Sequence, residues 1–209
     1  MRGLLLKDFY MSWKYCRMVL LMMLIFLGVS ATGDDNMFFM IYPMMVASIV
    51  PTTLLSYDEK SGWNLYSGAL PYSRAQLVSA KYLVAAVLMS AVWLVSAGIQ
   101  LVREALGAPV DMQDLAFILS LLLLMGILSS GIILPVMFKY GVEKGRFTYY
   151  IMIAVVCGGG VAFPQILEKV HFTLGVQEQM IPVLMAVGAI AFFAVSWIIS
   201  IKVYEKREI

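Results

Sequence analysis

Chemistry needs acids, bases and nucleophiles placed close together, and this chain has few such groups. It has one histidine, His171, and two cysteines, Cys16 and Cys157, each in or beside an apolar run. No CxxC pair exists, so neither a disulfide framework nor a metal site is expected. There is no GxxxxGK[ST] loop, so the chain is not expected to bind ATP in the P-loop way. The sole histidine has no serine beside it, which leaves no Ser/His/Asp set. An intramembrane protease or lipid enzyme would therefore lack an evident acid, base or metal. The residues that stand out instead run from Tyr57 to Tyr82, YDEKSGWNLYSGALPYSRAQLVSAKY. This stretch is polar, aromatic and charged, and it lies between two membrane-length apolar runs. Its chemistry is recognition rather than catalysis, because Trp and Tyr are the side chains that anchor protein interfaces.

The elements that must hold this stretch follow from composition. The chain has 209 residues, 62% hydrophobic and 13% charged, against about 45–50% and about 25% in ordinary globular chains. Lipid leaves only helices or closed barrels as spanning structures, and the alternating pattern of a barrel strand is absent. The expectation is a single all-α, polytopic membrane domain over 1–209. Six apolar runs predict six transmembrane helices at about 16–32, 37–56, 78–102, 115–137, 148–163 and 181–201. All Lys and Arg residues except Arg103 and Lys169 then fall on one side, while acidic residues show no such bias. By the positive-inside rule both termini are cytoplasmic. The start resembles a cleaved signal, with Val29-Ser30-Ala31 after an apolar run, but the preceding segment is too long and aromatic, so no cleavage is expected. A net charge of +2 is too small to suggest a nucleic-acid partner.

Residues 1–15 read as an amphipathic interfacial helix. Leu5, Phe9, Trp13 and Cys16 share one face, with Lys7 and Lys14 opposite among lipid headgroups. Pro43 and Pro51 interrupt the second run, where Thr52, Thr53 and Ser56 are expected to supply substitute hydrogen bonds. Met37, Met40 and Met44 follow helical spacing; such flexible side chains suit a surface that accepts varied apolar partners, with core filling as the plainer reading. With Gln100 they are the pore-lining candidates. Gly158-Gly159-Gly160 suits close helix packing. The outer loops, 103–114 and 164–180, are short, and His171 is read there as a solvated residue. No Asp, Glu, Lys or Arg lies well inside a span, so an ion-coupled transporter would lack its usual groups. The chain reads as a conduit without its own engine.

The order Asp58-Glu59, Trp63, Leu70-Pro71, Ser73-Arg74, Val78, Lys81-Tyr82 resembles the cytoplasmic loop of type-2 ABC transporter permeases, and the resemblance extends to the whole six-span layout. It implies that Tyr57 to Tyr66 forms a coupling helix seated on a separate ABC ATPase, which binds the ATP and Mg; this chain would hold no cofactor and would not be an enzyme. The docking residues it implies are Tyr57, Asp58, Glu59, Lys60, Trp63, Tyr66 and Arg74. Lys139, Glu143, Lys144 and Arg146 of the second inner loop would add a smaller contact; Lys139 and Tyr140 open that loop. Asp58, Glu59 and Lys60 would open the coupling helix with acids at its positive end. Pro71 would stop it, and Arg74 and Lys81 would return the chain to anionic headgroups. A second permease copy, as homodimer or paralogue, would complete the pore in a bacterial-type plasma membrane. The chain is similar to exporter permeases for phenol-soluble modulins, which implies amphipathic peptide or hydrophobic cargo. A drug or antibiotic-resistance exporter, a non-transporting scaffold or sensor subunit, and a membrane-embedded enzyme are the alternatives.

Overall fold

The computed structural model describes residues 2–32, 37–67, 71–107, 112–143, 145, 147–148, 150–151 and 180–206. Among them all regular structure is helical. The elements are α1 (Arg2–Tyr15), α2 (Arg17–Ala31), α3 (Met37–Lys60), α4 (Trp63–Ser67), α5 (Arg74–Ala105), α6 (Met112–Tyr140) and α7 (Ile181–Glu205). The helices α3, α5, α6 and α7 are each long and apolar enough to cross a membrane. The shorter α1 and α2 meet at Cys16 with a 76° bend and would count as a fifth span only if taken together. The run at 148–163, the glycines at 158–160, Cys157 and His171 lie outside the described residues, apart from the helical positions 148, 150 and 151.

Helix α6 is the centre of the bundle, packed on α7 along one side and on α3 along another. Small residues make that approach close. A Cβ on Gly126 would come within 2.9 Å of the Met44 side chain, which is fully buried. In lipid, apolar burial between helices gains little and hydrogen bonds join the spans instead. Here Ser48 on α3 donates to Ser129 on α6 at 2.8 Å, and Ser196 on α7 donates to the Gly131 carbonyl at 2.6 Å. The Tyr82 hydroxyl on α5 lies 2.8 Å from Ser196 and 2.7 Å from Ser200 on α7. Trp197 stacks on the Tyr82 ring and donates to Ser79. A methyl at Gly126 would force the Met44 Cγ and Sδ, both at 2.9 Å, to shift, so Gly126→Ala is expected to lower stability by about 1 kcal/mol, the low end of the cost of overpacking. Thermal unfolding in detergent checks it.

Helix α3 stays continuous through Pro43 and Pro51. The hydroxyls of Thr52 and Thr53 both donate to the Ile49 carbonyl, and Ser56 donates to that of Thr52. They thus bond back one turn rather than to the Ala47 carbonyl, which loses its usual N–H donor at Pro51.

The N-terminal helix departs from the expected wheel. Its exposed apolar stripe is Leu6, Phe9, Tyr10 and Trp13, while Leu4, Asp8 and Ser12 are buried against the bundle and Cys16 is closed in. Lys14 lies over the Tyr15 ring. Lys7 is not opposite the protein among headgroups; it points inward to two carboxylates.

A buried ionic quartet behind the aromatic loop

The end of the bundle that carries α4 encloses four charges from three helices. Lys81 Nζ on α5 lies 2.6 Å from Asp8 Oδ1 on α1 and 2.6 Å from Asp58 Oδ2 on α3. Lys7 Nζ on α1 lies 2.7 Å from Asp58 Oδ1 and 3.4 Å from Asp8 Oδ1. Asp8, Asp58 and Lys81 are almost fully buried, and Lys7 is partly covered. The quartet carries two positive and two negative charges, so it brings no net charge into the low-dielectric interior. Isolated, any one of these ions would be costly there; paired and hydrogen-bonded, they are tolerated.

Local structure explains the arrangement. Helix α3 ends at Lys60, so Asp58 lies in its last turn, where carbonyl ends make a negative pole. Asp58 and Glu59, expected at the start of a coupling helix, lie at the end of α3, followed by a break at Ser61-Gly62. Gly62 has φ +69°, a left-handed conformation that glycine adopts without strain, and it ends α3 so that α4 starts in a new direction. Two lysines then offset the unfavourable position of the Asp58 carboxylate. Lys81 does not return to headgroups, because α5 starts early. Ser73 caps that helix, its hydroxyl accepting from the Gln76 N–H while the Gln76 side chain accepts from the Ser73 N–H. Lys81 therefore lies about 10 Å inside a helix about 48 Å long, turned onto the acids.

The aromatic loop is tied to this quartet through Trp63. Lys7 Nζ sits 3.9 Å from the centre of the Trp63 ring, a distance at which the ring face attracts the cation. Trp63 also meets Tyr66 at 5.6 Å between centroids. Tyr66 is 61% exposed and has only Trp63 as a ring neighbour among the described residues. A second tie joins α1 to α3, where Tyr15 stacks on Tyr57 at 4.4 Å. A push on Tyr66 thus meets Trp63, then Lys7 on α1, Asp58 on α3 and Lys81 on α5.

A third link comes from Glu59. The carboxylate accepts the Val142 N–H at 2.8 Å. Val142 follows Gly141, whose φ of +83° ends α6, and helical backbone resumes at Val142. Glu59 is thus an acid at a helix start, contributed by another segment. Glu59→Ala is expected to cost about 0.5–2 kcal/mol, as loss of a helix cap does. Faster hydrogen exchange at the Val142 amide, with the rest of α6 unchanged, checks this.

Lys60 is exposed beside a cleft lined by Thr53, Ser56 and Tyr57. Arg74 is exposed and donates to the Glu205 carbonyl at 2.9 Å, joining the start of α5 to the end of α7. Lys139 lies over the Tyr140 ring at 4.9 Å, and Glu143 is exposed. Lys144 and Arg146 lie outside the described residues. Asp58 faces inward, so it supports the loop from behind rather than presenting a surface. Met40 and Met44 fill the interior of the bundle. Gln100 is buried and donates to the Met40 sulfur at 3.2 Å. Met37 is on α3, and its side chain is outside the description.

Asp8 and the inward turn of Lys81 escaped the sequence reading. The available signals were Asp8 at helical spacing with Leu4 and Ser12, and Lys81 set beside the apolar run that follows it. No match was found among curated proteins, and none among solved structures. A family model described as ABC-2 family transporter protein matches residues 3–205, which takes in α1, the quartet, the aromatic loop and every long helix. This chain belongs to the ABC-2 family of transporter proteins.

Proposed function

We propose that the chain is the permease subunit of an ATP-driven exporter in a bacterial-type plasma membrane, moving amphipathic peptides or hydrophobic compounds outward. Family membership implies an ABC ATPase as partner. In this reading that ATPase binds ATP and Mg, and this chain carries out no hydrolysis. Six spans place both termini and α4 in the cytosol, as the skew of Lys and Arg requires, and α1 lies in the interface with Phe9, Tyr10 and Trp13 toward the acyl chains. Two copies, or this chain and a paralogue, enclose the path.

The observation that carries this reading is the chain of contacts from exposed Tyr66 through Trp63 to the buried quartet. An aromatic anchor on a short helix suits a partner groove, and a charge-locked junction of α1, α3 and α5 suits transmission of a push. ATP-dependent closure of two ATPases would shift α4 and tilt the three helices together, a rigid-body change between two states. Reconstitution in liposomes with the ATPase tests it. Cargo movement is expected only with ATPase and ATP both present. Purification with no associated ATPase, or movement of cargo by this chain alone, would refute it.

A further inference from the structure

A cavity of about 390 Å³ opens among α3, α5, α6 and α7, away from the quartet. Met44, Met89 and Ile127 form its floor, and the Trp93 and Phe193 rings form walls. The indole cannot swing aside freely, because its N–H donates to the Leu119 carbonyl at 3.1 Å. Leu94 and Ile190 make an exposed rim, and among the described residues of the lining Ser90 is the one with a polar side chain besides the bonded Trp93 indole.

Depth identifies what stands at the mouth. Trp93 lies on α5 about 15 Å from Arg103 near one end of the helix and about 28 Å from Arg74 at the other, at 1.5 Å per residue. A hydrocarbon core is about 30 Å thick, so the crevice opens near the middle of the bilayer, where neither water nor a headgroup is available. Water needs two to four polar partners in a cavity, and one serine at the rim does not provide them. The volume is more than twice the about 150 Å³ of an apolar cavity that holds benzene. An unfilled space would forfeit the dispersion contacts of its lining. Met44 and Met89 supply flexible, polarizable side chains that conform to an irregular apolar guest.

We propose that this crevice holds one acyl chain of a bilayer lipid, inserted sideways between α5 and α7. The bound chain completes the packing of α5 on α7 where the described side chains leave it open. Lipid occupancy therefore couples bilayer composition to the stability of the permease.

The test uses the purified full chain in nanodiscs without cargo, made from phosphatidylcholine whose acyl chains carry bromine near their midpoint. Bromine quenches indole emission on contact, and the difference between the parent chain and Trp93→Phe isolates Trp93. The Trp93 emission is expected to fall by about half relative to unbrominated lipid. Ser90→Phe, at the exposed rim, is expected to plug the crevice and restore that emission. Ala86→Leu, from the lining, gives a second plug should the first variant fold poorly. Absence of quenching overturns the proposal. So does quenching that both plugs leave unchanged, which is ordinary contact with surrounding lipid. Quenching in discs with one copy that disappears in discs with two also overturns it, and makes the crevice a seam between copies.

Discussion

Asp58→Ala is expected to lower the stability of the permease by about 3–5 kcal/mol, the range for removing one partner of a buried ion pair. The loss arises because, among the described residues, Lys81 and Lys7 keep Asp8 as their one carboxylate, at 2.6 Å and 3.4 Å. Thermal or denaturant unfolding in detergent measures it. The informative comparison is the double variant Asp58→Asn with Lys7→Met. That change leaves Lys81 and Asp8 as a neutral pair at 2.6 Å, so it is expected to recover much of the stability that either single change removes. Residues in one ionic network are non-additive by 0.5–3 kcal/mol. The recovered protein should still be defective in transport, because Lys7 and Asp58 are the link from Trp63 to α3. Stability and coupling would thereby separate. Equal and additive losses from the two single changes would show that the quartet is not a unit.

Tyr66→Ala and Trp63→Ala are expected to act differently. Tyr66 is exposed, so its removal should leave the unfolding midpoint unchanged. Aromatic anchors at the centre of an interface contribute about 2 kcal/mol or more. The ATPase should therefore bind about 30-fold more weakly or worse, at tenfold per 1.4 kcal/mol. Trp63→Ala should weaken docking similarly and should also reduce transport per ATP hydrolysed, since it removes the ring over Lys7. Titration of the ATPase onto the purified permease, with cargo uptake in proteoliposomes, separates affinity from coupling. Wild-type affinity in both variants would remove α4 from the interface.

Much of this architecture could be read from residue order. Period and length located α3, α5, α6 and α7, because a span in lipid must satisfy its backbone internally and so declares itself as an unbroken apolar run. Tyr66 is exposed, as an aromatic residue in a polar loop with no core to fill is expected to be, whereas Trp63 is drawn over Lys7. Two features were not legible. The end of α3 was misplaced, since Asp58-Glu59-Lys60 suits a helix start by charge; the burial of Asp58 under two lysines reverses that preference. The quartet itself was hidden because Asp8 and Lys81 are 73 positions apart in the sequence, and neither helix alone reveals that their charges meet. The apolar wheel of α1 misleads for the same reason: two of the three residues of the buried stripe, Asp8 and Ser12 beside Leu4, are polar, and a polar residue that is paired inside looks from sequence like one in solvent.

The aromatic loop on the cytosolic side, in contact with the ATPase, is the central claim, and site-directed cross-linking tests it most directly. In a chain with Cys16 and Cys157 replaced by Ala, Tyr66→Cys is treated with a short bifunctional reagent in membranes that contain the ATPase. The expected result is an adduct between permease and ATPase, formed from the cytosolic side and altered in yield by ATP. Labelling of that cysteine only by a reagent confined to the opposite side would contradict the account.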